Sequence, residues 1–207
     1  MLSISLATFG IVHASGSCCA QYSLNSVPAA TQEGNSVSLI LTVSSFSSTI
    51  STTYSFRFTV TAPSGTLYQS QLVNYTTVPG QDQFTILVAF PSPTFPGMDS
   101  NVGKYAASVD QLTPVAALGV ATSSFVVSLT DAAVYQRTQT VSIQASGYNA
   151  SEAVTVDIRA QTTSTLVYSQ QLPASSSGVV ATSWSIPVNA SIDTYDLSIT
   201  GSGTIKN

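Results

Sequence analysis

The sequence predicts an all-β protein built from two tandem antiparallel β-sandwich domains. Three observations indicate this: short runs in which apolar and polar residues alternate, turn residues that separate those runs, and a second half that repeats the first. A period of two places successive side chains on opposite faces of a strand. No segment of useful length has the 3.6-residue period of an amphipathic helix.

Four alternating runs predict the main strands. In the first half they are Val37–Val43, where Ile40 breaks the alternation, Tyr54–Val60 and Phe84–Phe90. In the second half Val154–Ile158 alternates in the same way. Turn chemistry separates the runs, for example at Ala62–Gly65. The residues expected in the cores are Phe56, Phe58, Ile86, Val156, Ile158 and Trp184.

An internal repeat divides the chain. Tyr54–Val60 aligns with Val154–Ala160 at an offset of 100 residues, and the same offset pairs Phe84 with Trp184. The offset is 104 upstream and 90 downstream, which places the length changes in loops. The repeat predicts a first domain at residues 21–128 and a second domain at residues 129–207.

The second half carries a recognisable pattern. Leu129–Tyr135 leads into Thr138–Gly147, and Ile186–Ala190 precedes Tyr195–Ile199. These segments resemble the opening "Y-x-x-G-Q-T-V" strand and the closing "I-P-x-N-A…Y" hairpin of the macroglobulin-type, immunoglobulin-like modules of extracellular proteins. Arg137-Thr138 replaces the usual Pro-Gly turn, and Thr194 stands where Gly often precedes the Tyr. The resemblance implies two immunoglobulin-like sandwiches that act as spacers and interaction domains, and it implies no enzyme.

Composition and the N-terminus predict an exported protein. Only 7% of the residues are charged, against about 25% in an ordinary soluble domain. Residues 1–20 are predicted as a signal peptide with a small-residue cleavage site at Val12–Ala14, although a short buried strand is an alternative. No later apolar run reaches the roughly 18 residues that span a bilayer. We therefore expect an extracellular or cell-surface location without a membrane span.

Three N-glycosylation sequons agree with export, and they begin at Asn74, Asn149 and Asn189. Such triplets arise often by chance in a chain rich in Ser and Thr. Nucleic acid is not an expected partner, because five Lys plus Arg at a net charge of -4 form no basic patch.

The sequence predicts no catalytic residues, no cofactor and no metal site. The only histidine, His13, lies in the predicted leader, so a histidine base for triad chemistry is missing. Cys18 and Cys19 are adjacent and cannot join two sheets within a domain. Trp184 is interpreted as a core residue rather than a sugar-stacking platform, because its repeat partner is Phe84.

The second domain is predicted to lack its last strand. The counterpart of Phe125–Val127 would fall beyond Asn207, which indicates either a fragment of a longer protein or an open sheet edge. In the second case a strand from another subunit would fill the gap, and residues 15–35 are a candidate donor, with Tyr22, Leu24 and Val27 as anchors.

A Pro-rich insertion in the first half is the candidate contact loop, and its residues are Phe90, Pro91, Pro93, Phe95 and Pro96. The leading functional expectation is a secreted, non-enzymatic cell-surface or matrix protein with spacer or adhesion modules. Its partner would be a protein or a cell-surface glycan, with possible self-association through the open sheet edge. Two alternatives stay open: an extracellular filament subunit assembled by strand donation, and a carbohydrate-binding accessory region of a longer secreted hydrolase.

Overall fold

A computed structural model describes residues 20–46, 49–91 and 102–207 of the chain. These residues contain fifteen β-strands and no α-helix, so the all-β prediction is confirmed. Within the same residues there is accordingly no helix suited to crossing a membrane. The strands are β1 Gln21–Val27, β2 Ala30–Gln32, β3 Val37–Ser44, β4 Thr53–Thr61, β5 Leu67–Gln69, β6 Val73–Thr76, β7 Gln83–Phe90, β8 Gly103–Thr113, β9 Ala117–Ser128, β10 Thr140–Ala145, β11 Ala153–Ala160, β12 Thr165–Pro173, β13 Val180–Ser185, β14 Tyr195–Thr200 and β15 Ile205–Lys206.

The chain folds as two compact units. Of the described residues, unit 1 comprises 20–29, 36–46, 49–91 and 104–125. Unit 2 comprises 30–35, 102–103 and 126–207. Unit 2 therefore includes a short segment from the N-terminal part of the chain, which contains β2.

Unit 1 contains two sheets. One has the strand order β1-β3-β7, and the other has the order β9-β8-β4-β5, with β6 also paired to β4. The alternating runs face the core as predicted: Phe56, Phe58 and Val60 are fully buried on β4. Tyr54, at the start of the same strand, is only partly buried. The buried side of β3 consists of Val37, Leu39, Leu41 and Val43.

Unit 2 also contains two sheets. One is the pair β10-β13, extended by a single bridge between Thr130 and Ile143. The other has the order β12-β11-β14-β15. The predicted core residues Val156, Ile158 and Trp184 are buried. The wider apolar core also contains Val141, Ile143, Ala145, Tyr148, Val154, Ala174, Val180 and Ile199.

The strand that follows β14 is short. β15 pairs antiparallel with β14 at two positions, Ile199 with Lys206 and Thr200 with Ile205. The hairpin closes through a hydrogen bond of 2.8 Å from the Gly201 N–H to the Thr204 carbonyl. The first four residues of β14, 195–198, pair with β11 on one side only among the strands of the described chain.

The predicted donor segment is used within the fold instead. β1 pairs with β3 along its whole length, so Tyr22 and Leu24 belong to a sheet of unit 1. β2 pairs in parallel with residues 126–128 of β9 within unit 2. The backbone of residues 21–27 and 30–32 is thereby engaged in ladders, and these residues do not form an unpaired donor strand.

Candidate functional site: a groove beside strand β14

A groove of about 820 Å³ lies in unit 2 along the side of β14 where, within residues 20–46, 49–91 and 102–207, no strand neighbours positions 195–198. We call it the β14 groove. Its floor is apolar and combines residues of the two sheets, namely Val141, Ile143, Ile158, Trp184 and Leu197. Its walls come from residues 130–137 and 190–194. The groove is thus a break in the packing between the two sheets of one unit.

Trp184 belongs to the floor of the groove. Its side chain is 7% exposed, and its ring meets the ring of Tyr195 edge-on at 5.5 Å between centroids. Tyr195 is held from the other end, because its hydroxyl donates to the Ser191 carbonyl at 2.8 Å. The prediction that Trp184 packs in the core is confirmed, and the residue also lines the groove.

Along β14, the backbone N–H and C=O groups of successive residues point alternately toward β11 and away from it. The Gln161 N–H donates to the Thr194 carbonyl at 2.8 Å, so the next pair, Ala160 with Tyr195, is a non-hydrogen-bonded pair. Bonded and non-bonded pairs alternate along an antiparallel ladder. The N–H and C=O groups of Tyr195 and Leu197 therefore point away from β11 and toward the groove.

The rim of the groove exposes large apolar side chains. Val134 is 82% exposed and Ile192 is 95% exposed, and both line the groove. Isolated surface hydrophobics are common. Here, however, two of them border an apolar cleft with a free strand edge, a combination that is typical of interaction surfaces.

Polar contacts hold the wall at residues 130–137 in place. The Tyr135 hydroxyl donates to Asp131 Oδ1 at 2.6 Å, and the Ser142 N–H donates to the same oxygen at 2.8 Å. The first of these bonds is the main reason that the pKa of Asp131 lies below its ordinary value. Further along, Arg137 Nε donates to the Ala190 carbonyl at 2.7 Å and ties this wall to the opposite one.

The lining of the groove carries one carboxylate, Asp193, and one guanidinium, Arg137. Asp193 accepts from the Thr162 hydroxyl at 2.7 Å, and this bond lowers the pKa of Asp193. Asp131 and the outward-facing Asp196 lie beside the lining, and Asp196 stands opposite Arg159 of β11 in the ladder. Polar side chains, or a basic one opposite Asp196, would suit the outer face of a partner strand.

A second polar cluster of unit 2 contains a buried ion pair. Lys206 Nζ contacts Glu33 Oε1, and the two side chains are 9% and 1% exposed. Glu33 Oε2 accepts from the Ser146 N–H at 3.2 Å, and the Glu33 carbonyl accepts from Gln144 Nε2 at 2.6 Å. Burial, followed by the nearby charge of Glu33, raises the pKa of Tyr148 to about 12. The cluster has the character of a structural clamp, because its polar groups are paired internally.

The three sequons lie at exposed positions. Asn74 is on β6, where its Oδ1 accepts from the Ser55 hydroxyl at 2.6 Å. Asn149 is in the turn before β11, where its Nδ2 donates to Glu152 Oε2 at 3.1 Å. Asn189 lies in the turn after β13. All three side chains are therefore on the surface, as a glycosylation acceptor requires.

The candidate contact loop divides into core and surface. Phe90 is 3% exposed, and its ring packs against Tyr105 and Phe125, each at 5.7 Å between centroids. Phe90 is thus a core residue rather than a contact residue, because it ends the inward-facing alternation of β7. Pro91 is exposed, and Pro93, Phe95 and Pro96 lie outside the described residues.

A cluster of metal-ligating side chains is not found in the part of the chain that the structure describes. No group of three or more His, Cys, Asp or Glu side chains there could hold a metal ion. His13, Cys18 and Cys19 lie outside the described residues. The β14 groove lies beside a sheet edge of the second domain, where the sequence predicts an open edge.

Comparisons with known proteins leave the family open. No protein-family model matches the chain, and no curated protein matches it. Among solved structures it is similar to the Pseudomonas fluorescens alkylpurine DNA glycosylase AlkC bound to DNA containing an abasic site analog, with a TM-score of 0.39 and 11% identity. That match covers 52% of this chain and 30% of the other, so this chain spans less than a third of that protein. A likeness this weak supports no functional argument.

Proposed function

We propose that the protein is a secreted, non-enzymatic cell-surface or matrix protein whose two tandem immunoglobulin-like modules serve as spacer or adhesion domains. The observation that carries the proposal is the division into two all-β units with corresponding strand orders. A fold of this kind does not by itself set a function, which resides in the surfaces of the modules.

The strand order supports the immunoglobulin-like assignment. In unit 1, β3 and β7 are neighbours in one sheet, and β4, β8 and β9 are neighbours in the other. In unit 2 the pair β10-β13 corresponds to the first sheet, and β11-β14-β15 corresponds to the second. Immunoglobulin-type sandwiches divide their B and E strands from their C, F and G strands in this way.

Surface chemistry supports the extracellular location. All three sequon asparagines are exposed, and few surface residues are charged because only 7% of the chain is. Glycans would then supply polarity that ionic side chains do not. The partner would be a protein or a cell-surface glycan that binds to the faces of these modules.

Export is tested by mass spectrometry of the protein recovered outside the cells that make it. We expect a mature start between Ser15 and Gln21, and a mass that falls to the polypeptide value after enzymatic removal of N-glycans. Matched variants Thr76→Ala, Ser151→Ala and Ser191→Ala each destroy one sequon and should each remove one glycan if that site is occupied. An intact Met1 on secreted material, or retention of the protein inside the cell, contradicts the proposal.

A further inference from the structure

We propose that the β14 groove binds an extended strand of a separate protein, which adds to the sheet antiparallel to β14 and inserts alternate apolar side chains toward Trp184. The proposal goes beyond the function proposed above, because it requires neither export nor glycosylation. It assigns a binding site to unit 2 and a chemical class to its ligand.

The first support is the edge of β14, which has no neighbouring strand at residues 195–198 among the described parts of the chain. Tyr195 and Leu197 direct their backbone N–H and C=O groups toward the groove, and β15 pairs only with Ile199 and Thr200. Four main-chain groups are thus available for a ladder with an added strand. Strand addition to such an edge is a common form of peptide recognition, in which the main chain supplies affinity and side-chain pockets supply specificity.

The second support is the corresponding place in unit 1. There β8 is followed after a three-residue loop by β9, which is twelve residues long and lies next to β8 in the sheet. Tyr105, Ala107 and Val109 of β8 are buried. Their counterparts Tyr195 and Leu197 on β14 are only partly buried. A strand in the position of β9 would cover both.

The third support is the register that β15 already sets. Ile199 is buried and stands opposite Lys206, whose side chain also points inward to Glu33. Residues opposite one another in an antiparallel pair share a face of the sheet. An added strand would therefore place its residues opposite Leu197 and Tyr195 inside the groove.

These constraints define the ligand. Residues that enter the groove should be apolar, because the floor is formed by Val141, Ile143, Ile158 and Trp184. In the added strand, the residue between the two that enter the groove faces outward and stands opposite Asp196. Lys or Arg at this position forms a favourable cross-strand pair. The exposed Val134 and Ile192 would cover the apolar residues from the rim. The ligand class is an extended segment of alternating apolar and polar or basic residues.

The direct test uses the full 207-residue chain and a synthetic peptide with the sequence of residues 117–128, the strand that fills the corresponding place in unit 1. Trp184 is the only tryptophan of the chain, so its fluorescence reports on the groove alone. We expect a saturable change in its emission. We also expect slower amide hydrogen exchange at Tyr195 and Leu197, with little change at Asp196, whose N–H already faces β11.

Two peptide controls separate strand addition from unspecific apolar binding. A peptide of the same composition with the alternation scrambled should leave the emission unchanged. N-methylation of the amides that face β14 should abolish binding, whereas N-methylation of the intervening amides should leave it nearly intact. Equal effects of the two methylated peptides would overturn the proposal, because strand addition depends on one set of amides.

Matched protein variants locate the site. Ile192→Asp changes a rim residue that is 95% exposed, so the fold should tolerate it, and binding should weaken severalfold. Leu118→Asp makes the same kind of change at a residue of unit 1 that is 80% exposed, and binding should be unaffected. Equal loss of binding in both variants would remove the groove as the site.

Other occupants are outcomes of the same experiment. If deletion of residues 1–19 alone speeds amide hydrogen exchange at Tyr195 and Leu197, the occupant of the groove is the chain's own N-terminal segment. Protection of these amides that rises with protein concentration, in the absence of peptide, would identify a second copy of the chain. Either result overturns the proposal of a separate protein, as does an unchanged Trp184 emission at millimolar peptide.

Discussion

Replacing Lys206 by Met tests the buried ion pair that joins β15 to residues 30–35 of the same unit. Met keeps much of the length and apolar surface of the Lys stem, so the substitution mainly removes the charge. The Glu33 carboxylate is 1% exposed and would lose its ammonium partner while its hydrogen bond from the Ser146 N–H stays in place. Removing one member of a buried pair costs about 3–5 kcal/mol, because a charge is left in a medium of low polarity.

The structure favours the lower end of this range. β15 is two residues long and pairs at two positions only, so local fraying would let water reach Glu33 in the variant. A loss of about 3 kcal/mol in a unit of this size lowers Tm by about 12–24 °C, at roughly 4–8 °C per kcal/mol. The shift should depend little on salt, because buried charges are weakly screened.

Thermal unfolding of the full chain, followed by Trp184 fluorescence, measures the effect in unit 2. The matched control is Lys104→Met, which removes an exposed lysine of unit 1 and should change stability by less than about 0.5 kcal/mol. The double variant Glu33→Gln with Lys206→Met should recover part of the loss, because the buried carboxylate charge is gone as well. Equal shifts in the Lys206 and Lys104 variants would refute the reasoning.

Three further predictions concern the cores and turns. Phe58→Ala should lower the free energy of unfolding of unit 1 by about 3–5 kcal/mol in chemical denaturation, because the side chain is fully buried. Hydrogen bonds, first from the Asn149 N–H and then from Ser202, lower the pKa of Glu152 from 4.5 to about 2. Its contribution is therefore complete above pH 4.5 and is lost as the pH falls toward 2, so Glu152→Gln should be less stable than wild type at neutral pH and equal to it near pH 2. Gly178 has a φ of 72°, and an added Cβ would lie 2.1 Å from the Tyr148 carbonyl oxygen. Gly178→Ala should cost about 1–3 kcal/mol, whereas Gly203→Ala, with open space around it, should be nearly neutral.

Alternation in the sequence predicted the core faces well. One face of β3 and of β4 is buried against the second sheet, and only residues two apart can occupy it. Phe90 illustrates the strength of this signal: its place in the alternation of β7 indicated burial, and its nearness to a Pro-rich loop indicated exposure. The structure follows the alternation.

Tertiary features were less accessible from the sequence. Glu33 is buried because it pairs with Lys206, which lies far away in the sequence. From its neighbours in the sequence alone, a glutamate such as this is predicted to lie on the surface. The β14 groove is formed by residues of β10, β11, β13 and β14, so no single segment carries its pattern. The sequence did predict an open sheet edge in the second domain, but it did not identify the residues that line the groove beside that edge.

Membership of residues 30–35 in unit 2 has a consequence for the order in which the protein folds. Glu33 and Lys206 are 173 positions apart, so the ribosome delivers one long before the other. Contacts between such distant residues close late and slow folding, because the intervening chain must first be ordered. Unit 1 can form its sheets while the rest is being synthesised, but unit 2 must wait for the final strand. During that interval Glu33 lacks Lys206, and the nascent chain is most open to chaperones, proteases and wrong pairings.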